Sequence, residues 1–286
     1  MSEPLSNFVA GEVTQWATGF QFTEGPQWHP DGYFLFVDIR TSRTYRIRSG
    51  GQPEIARENT GGGNGITFDL QGNVVQCEME AKRMVRVRSD GAVEVIADNF
   101  EGKRFNAPND VVCAPDGSIY FTDPALRVPW GDRELPTAVY RIAPDGALSQ
   151  FAEAEFPNGL TVGLDGKTLL VNNTRTLAYI QSFPINADGT AGQRRLLIEV
   201  YGDQPGAPDG MKLDTEGRIY CTGPGGVWII SPDGRHLATI ACAEQPANLA
   251  FGGPDLRTLF FTARTSVYAV PMKVSGQPHP WLALRG

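Results

Sequence analysis

Six apolar, β-branched and aromatic runs punctuate the chain: YFLFVDI from Tyr33, NVVQCEM from Asn73, SIYFTDP from Ser118, KTLLVNN from Lys167, RIYCTGP from Arg218 and RTLFFTA from Arg257. A turn pair precedes each run: Asp31-Gly32, Gln71-Gly72, Asp116-Gly117, Asp165-Gly166, Glu216-Gly217 and a degenerate Asp255-Leu256. Seven residues before the first member of every pair stands an oxygen-bearing polar residue: Glu24, Asn64, Asn109, Asn158, Asp209 and Asn248. Polar opener, short apolar stretch, turn pair and β-rich run read as strand, tight turn, strand, six times over.

The openers are spaced 39 to 51 residues apart, the period of a four-stranded propeller blade. Third strands are predicted from Thr44, Met84, Ala138, Tyr179, Gly226 and Ser266, and fourth strands over 53–58, 93–99, 148–154, 194–200 and 236–242. The sixth unit lacks a fourth strand after Met272, whereas a spare strand-like segment lies at about 11–17. The expected fold is all-β, a six-bladed β-propeller with four-stranded blades, its ring closed by the N-terminal strand. Closure removes the unpaired edge that an open blade would present, so deleting residues 1–18 is expected to destabilise the whole fold.

Composition narrows the class without changing the fold. The 286 residues include 33 glycines and are 41% hydrophobic, with no linker-like run, so 1–286 reads as one domain. The start of the chain lacks a basic segment leading into an apolar core, and no long apolar run occurs, which makes a soluble cytoplasmic protein the expectation. Cys77, Cys113, Cys221 and Cys242 fall in predicted strands and read as reduced core thiols. A net charge of −7 argues against nucleic acid and anionic membrane as partners and leaves a small ligand. A monomer or homodimer is assumed.

In a propeller the first strand of each blade lines the central channel, so the six openers converge at one end of it. Two carboxylates and four carboxamides, without histidine or cysteine, make a set of hard oxygens suited to Ca²⁺, Mg²⁺ or Mn²⁺. Facing carboxylates would otherwise repel and tend to bind a proton. Asn64 and Asn248 read equally well as turn residues that bond their own backbone. Glu24, Asn158 and Asp209 are harder to explain that way, because glutamate is a poor turn former and the three share one register in different blades. Competing chemistry is weak: His29, His236 and His279 have no zinc-type spacing, and His29 reads as a surface residue beside a turn. No G-x-S-x-G elbow is present. The run Gly61-Gly62-Gly63 precedes a strand rather than a helix, unlike a phosphate loop.

The chain carries several phrases in order: Glu24-Gly-Pro-x-Trp28, Phe36-Val-Asp-Ile39, Arg104-Phe-Asn-Ala-Pro-Asn-Asp110, Tyr120-Phe-Thr-Asp-Pro124, Pro157-Asn-Gly159 and Pro208-Asp-Gly-Met211. Through them the chain resembles the senescence marker protein 30/gluconolactonase/luciferin-regenerating-enzyme-like family over nearly its whole length. The resemblance implies one divalent metal held by Glu24, Asn158 and Asp209, with Ca²⁺ expected first and Zn²⁺, Mn²⁺, Mg²⁺ or Fe²⁺ open. It implies Asn109 as a fourth ligand or substrate contact, Arg104 and Asn106 as substrate contacts, Asp209 as catalytic base, and a sugar lactone as substrate.

Two departures stand out. The family's bacterial Cys-Glu-His is here Cys77-Glu78-Met79, which removes a proton acceptor. After Thr-Asp-Pro the usual Pro-Tyr-Gly is replaced by Ala125-Leu126-Arg127, opening a segment to Pro136 that is expected to lie over the site as a lid. The expected reaction is metal-assisted hydrolysis of a lactone such as gluconolactone. The alternatives are hydrolysis of other esters or organophosphates on the same site, and a non-catalytic ligand-binding propeller.

Overall fold

In a computed structural model that describes residues 3–126 and 128–283, the six repeats form six antiparallel four-stranded sheets. The inner strands are Thr23–His29, Gly63–Phe68, Val111–Cys113, Pro157–Val162, Met211–Leu213 and Asn248–Gly252. Each touches the next and the last returns to the first, which closes a six-bladed β-propeller. Burial falls from the axis outwards. Gly63–Phe68 is buried along its length, whereas the outer strands Glu54–Arg57 and Arg195–Glu199 are largely exposed.

Blades pack face against face through the alternating apolar residues of their middle strands. Between the third and fourth blades, Tyr120, Val139 and Phe151 meet Leu160, Val162, Leu169, Val171 and Phe183. The last blade is completed by Thr14–Thr18, which pairs antiparallel with Ser266–Pro271. Trp16 anchors this closing strand, its ring centroid 4.8 Å from that of Phe260 and 5.7 Å from that of Phe34. Among the described residues no helix is long and apolar enough to cross a membrane.

Some details differ from the sequence reading. The closing strand begins at Thr14 rather than residue 11. The fourth strand of the second blade ends at Ala97, and residues 99–104 form a separate two-stranded ribbon, Asn99–Phe100 with Lys103–Arg104. Its tip, Glu101-Gly102, lies at positive φ, the conformation of a tight hairpin turn. Cys242 lies beyond its strand and is partly exposed, whereas the other three thiols are buried and all four are free. His29 is buried rather than on the surface: its ring stacks on Tyr33 at 4.3 Å between centroids and packs against Phe68 and Trp281. The tail after Met272, which the strand pattern leaves unassigned, folds under the ring and ends in a short helix, Pro280–Ala283.

Candidate active site

Bulges shape the inner strands of the first, second and fourth blades at the site. The pairing shifts between Glu24 and Gln27, between Gly63 and Ile66, and between Pro157 and Leu160. An extra residue in the strand turns positions three apart to the same side. In these three blades the opener and the residue three places later therefore both face the channel, in two tiers.

Close approach of the strands depends on the position after the opener. At Gly159 a β-carbon would lie 1.9 Å from the Asp209 carbonyl oxygen, and at Gly210 one would lie 1.9 Å from Asn248 Oδ1. Gly25 and Gly65 are equally hemmed in by Asn64 and Asp110. The third blade carries Asp110 at this register instead, and its side chain enters the centre of the ring. Sequence reasoning passed over Asp110; the signal was an Asp where four of the six repeats have Gly.

Second-strand threonines fix the openers' backbone. Thr122 Oγ1 accepts from Asp110 N at 3.1 Å and donates to the Asn158 carbonyl at 2.9 Å, tying the third blade to the fourth. Thr222 Oγ1 accepts from Asp209 N at 2.8 Å, and Thr262 Oγ1 donates to the Asn248 carbonyl at 3.3 Å. Residues ending the second strands hold the approach to each opener. Asp38 accepts from the backbone of Gln21 and Phe22, Asp123 from that of Asn106 and Ala107, and Asn173 from that of Phe156. The phrases F-V-D and F-T-D are thus scaffolding for the segment before the opener.

At the centre, Glu24 Oε2 accepts from Gly25 N at 2.7 Å and from Asn248 Nδ2 at 2.9 Å. The same amide nitrogen lies 3.5 Å from Asp110 Oδ2, so Asn248 bridges two carboxylates. Burial, then the Asp110 charge, pushes the Glu24 carboxyl up to about 7. Asp110 is raised mainly by burial. Asp209 is raised well above the carboxylate range by burial and then by the charges of Glu24 and Asp110, with a hydrogen bond from Asn158 opposing. Three carboxylates thus crowd one low-dielectric space, each resisting ionisation of the others.

The Asn158 side chain supplies the counterpart. Its Oδ1 is buried without a hydrogen-bond partner, a state that is rare for a buried oxygen and calls for an explanation. Among the described residues no three His, Cys, Asp or Glu side chains are grouped to hold a metal ion. The donor set here instead joins carboxylates to carboxamide oxygens, the ligands of a hard cation. An unpartnered amide oxygen beside mutually repelling carboxylates is a place where a divalent cation would satisfy the one and neutralise the others, so these residues fit such an ion. Asn64 and Asn109 are buried at the same level.

The other expected contacts lie elsewhere. Arg104 is exposed on the ribbon, its backbone N–H donating to Glu134 at 3.0 Å and its side chain facing an outer groove with Arg83, Asp98 and Asn99. Asn106 is buried, and its amide donates to Asp123 and to the Leu135 carbonyl. In this structure both serve the junction between the ribbon and the 125–136 segment. That segment is anchored by Leu135 in the core, by Val128 against the apolar cluster that includes Ile39, Met79 and Ala107, and by Glu134 on the ribbon; Arg127 lies outside the described residues. Glu78 is buried and ion-paired with Arg57 and Arg83, so the Glu of Cys77-Glu78-Met79 is a structural charge, and Met79 makes its neighbourhood apolar.

A family model described as the SMP-30/Gluconolactonase/LRE-like region matches residues 22–265. The chain is 31% identical to the gluconolactonase of Zymomonas mobilis over 91% of this chain and 81% of that protein. It is 28% identical to the pentonolactonase XacC of Haloferax volcanii over 86% of this chain and 82% of that one. The solved structure of a gluconolactonase from Xanthomonas campestris superposes with a TM-score of 0.84 at 30% identity, covering 91% of this chain and 89% of that one.

Proposed function

Since the chain belongs to the SMP-30/gluconolactonase/LRE-like family, we propose that it is a lactonase that opens sugar lactones, gluconolactone foremost, at the acidic end of the channel with one divalent cation. The observation that carries this reading is the meeting of Glu24, Asp110 and Asp209 with the unpartnered Asn158 oxygen in one buried ring. Gluconolactonase and pentonolactonase relatives that match along most of the chain support the reaction class.

Glu24, Asn158 and Asp209 would hold the cation, with Asn109 beside them. When bound, the ion supplies a Lewis acid for the carbonyl oxygen. Calcium, which favours carboxylate and amide oxygens, suits the set best. Asp209 keeps partial exposure, so a water can reach it. A carboxylate held by a cation is a weaker base, and its two oxygens divide the work. One Asp209 oxygen would hold the ion, and the other would take a proton from water as the water oxygen bonds to the carbonyl carbon. That proton then passes to the ring oxygen as the acyl C–O bond breaks, leaving a hydroxy acid.

The packing of Val128 on the apolar cluster that includes Met79 and Ala107, and the outward position of Arg104, favour a second substrate class, less hydroxylated lactones or other esters. One experiment addresses both classes. Protein stripped by chelator and resupplied with single divalent metals is offered glucono-1,5-lactone, pentonolactones and alkyl lactones, and proton release is followed. Metal-restored hydrolysis led by the sugar lactones supports the reading; silence across the panel with metal bound overturns it. Exchanging residues 125–136 is expected to change KM across the panel more than metal affinity.

A further inference from the structure

The residues three places after the openers form the channel's second tier. Gln27, Thr67, Val112, Thr161, Lys212 and Phe251 line a cavity of about 80 Å³, closed below by the tail from Gln277 to Leu282. Five of the six are neutral, and Lys212 places an ammonium on the axis. Its Nζ donates to the Met211 carbonyl at 3.1 Å and, among the described residues, makes no ion pair within 4 Å.

A half-buried cation without a paired anion is unfavourable unless charge nearby compensates it. The compensation stands one tier up. Asp209 stands three residues before Lys212, at the entry to the inner strand Met211–Leu213, and three residues of extended chain span at most about 10 Å. Three carboxylates and one ammonium give the channel a formal charge of −3 + 1 = −2, which matches one divalent cation.

We propose that Lys212 is the resident counter-charge of the ring: it tempers the ring's affinity for a divalent cation and stabilises the carboxylates while no metal is bound. The inference rests on the reading of Glu24, Asn158 and Asp209 as a metal site. Lys212 is a positioning residue, since it acts through the carboxylates.

The test is calorimetric titration of stripped protein with Ca²⁺ and, separately, Mn²⁺. A +1 charge several ångströms from a +2 charge at partly screened dielectric is worth at least about tenfold in binding. Lys212→Met is therefore expected to lower Kd about tenfold, and Lys212→Arg to keep it near wild type because the charge remains. Lys212→Gln, the residue that the first blade carries in this tier, serves if the methionine variant does not fold. Thermal unfolding of the stripped protein is expected to show the neutral variants losing stability that metal restores. An unchanged or raised Kd in the neutral variants, with wild type binding metal, overturns the role of Lys212 alone. Failure of wild type and every variant to bind either ion overturns the metal reading along with it.

Discussion

The two tiers of the channel are built by the same six strands, three residues apart, and are opposites. The upper tier crowds Glu24, Asp110 and Asp209 together and leaves Asn158 Oδ1 unpartnered. The lower tier is mostly neutral and is sealed by the tail, where Thr67 Oγ1 and His279 Nε2 share a hydrogen bond at 3.1 Å. Backbone geometry is nearly repeated between them, so the contrast lies in satisfaction. In the lower tier Thr67 and His279 partner each other and Lys212 donates to a backbone carbonyl, whereas the upper tier leaves crowded carboxylates and a bare amide oxygen arranged for something added. Function sits where a fold that satisfies itself elsewhere leaves charge and lone pairs over.

The contrast breaks most sharply at Asp209. Asp209→Asn keeps the shape and removes the base, and lactone turnover is expected to fall about 10²–10⁴-fold, the range for loss of a general base. Initial-rate assays at saturating metal check this, and near wild-type turnover would remove Asp209 from the chemistry. Glu24→Gln is expected to act on binding first: its metal Kd rises at least tenfold, and excess metal recovers much of the rate. Gly159→Ala strikes the spacing rather than the charge. The added carbon would lie 1.9 Å from the Asp209 carbonyl oxygen, so the strands must part, at about 1–3 kcal/mol and with loss of metal affinity. Gly131→Ala, with nothing within 4 Å of its β-carbon, is the matched control. Equal melting temperatures and equal metal affinity for the two variants would deny that ring spacing matters.

The fold was legible because its signals are local and repeated. Turn pairs and apolar runs recur at one register, and Trp16 supplied the apolar anchor for a strand that closes the ring from the far end of the sequence. That Glu24, Asn158 and Asp209 stand in equivalent places of different blades was legible for the same reason, as members of a repeat. What escaped was set by packing between blades. Asp110 stands one place after its opener, and its side chain has room beside the ring only because the neighbouring blade carries Gly65, whose β-carbon would lie 2.6 Å from Asp110 Oδ1. Arg104 reads as a channel residue until the ribbon at 99–104 carries it outwards, and that ribbon has no counterpart in the other blades. His29 looked exposed beside its turn because Trp281, which covers it, lies 252 residues away. Repetition reveals what every blade does; departures from it are decided by contacts that no period encodes.

The smallest expected effect concerns the lower tier, and it separates the tiers by the sign of their response to pH. His279 is desolvated beneath the ring, with Lys212 repelling its proton and Asp69 attracting it, and its pKa falls to about 4. Thr67, Phe68 and the Trp281 backbone N–H enclose the ring. The folded chain therefore carries His279 neutral where the unfolded chain binds a proton below its ordinary value of 6.5. Its contribution to stability is present above pH 6.5, is lost as pH falls towards 4, and changes no further below that. The upper tier responds oppositely in stripped protein. Glu24, raised to about 7, binds its proton more readily folded than unfolded, so stability rises as pH falls from 8 through 7. Denaturant unfolding of wild type and His279→Gln across pH 4–8 isolates the first component as a difference that cancels the second. The two are expected to diverge only below pH 6.5, with wild type losing more, and added metal is expected to remove the rise at pH 7–8 without touching that divergence. A difference independent of pH would mean that the tail seals the channel through packing alone, and that the charge contrast between the tiers ends at Lys212.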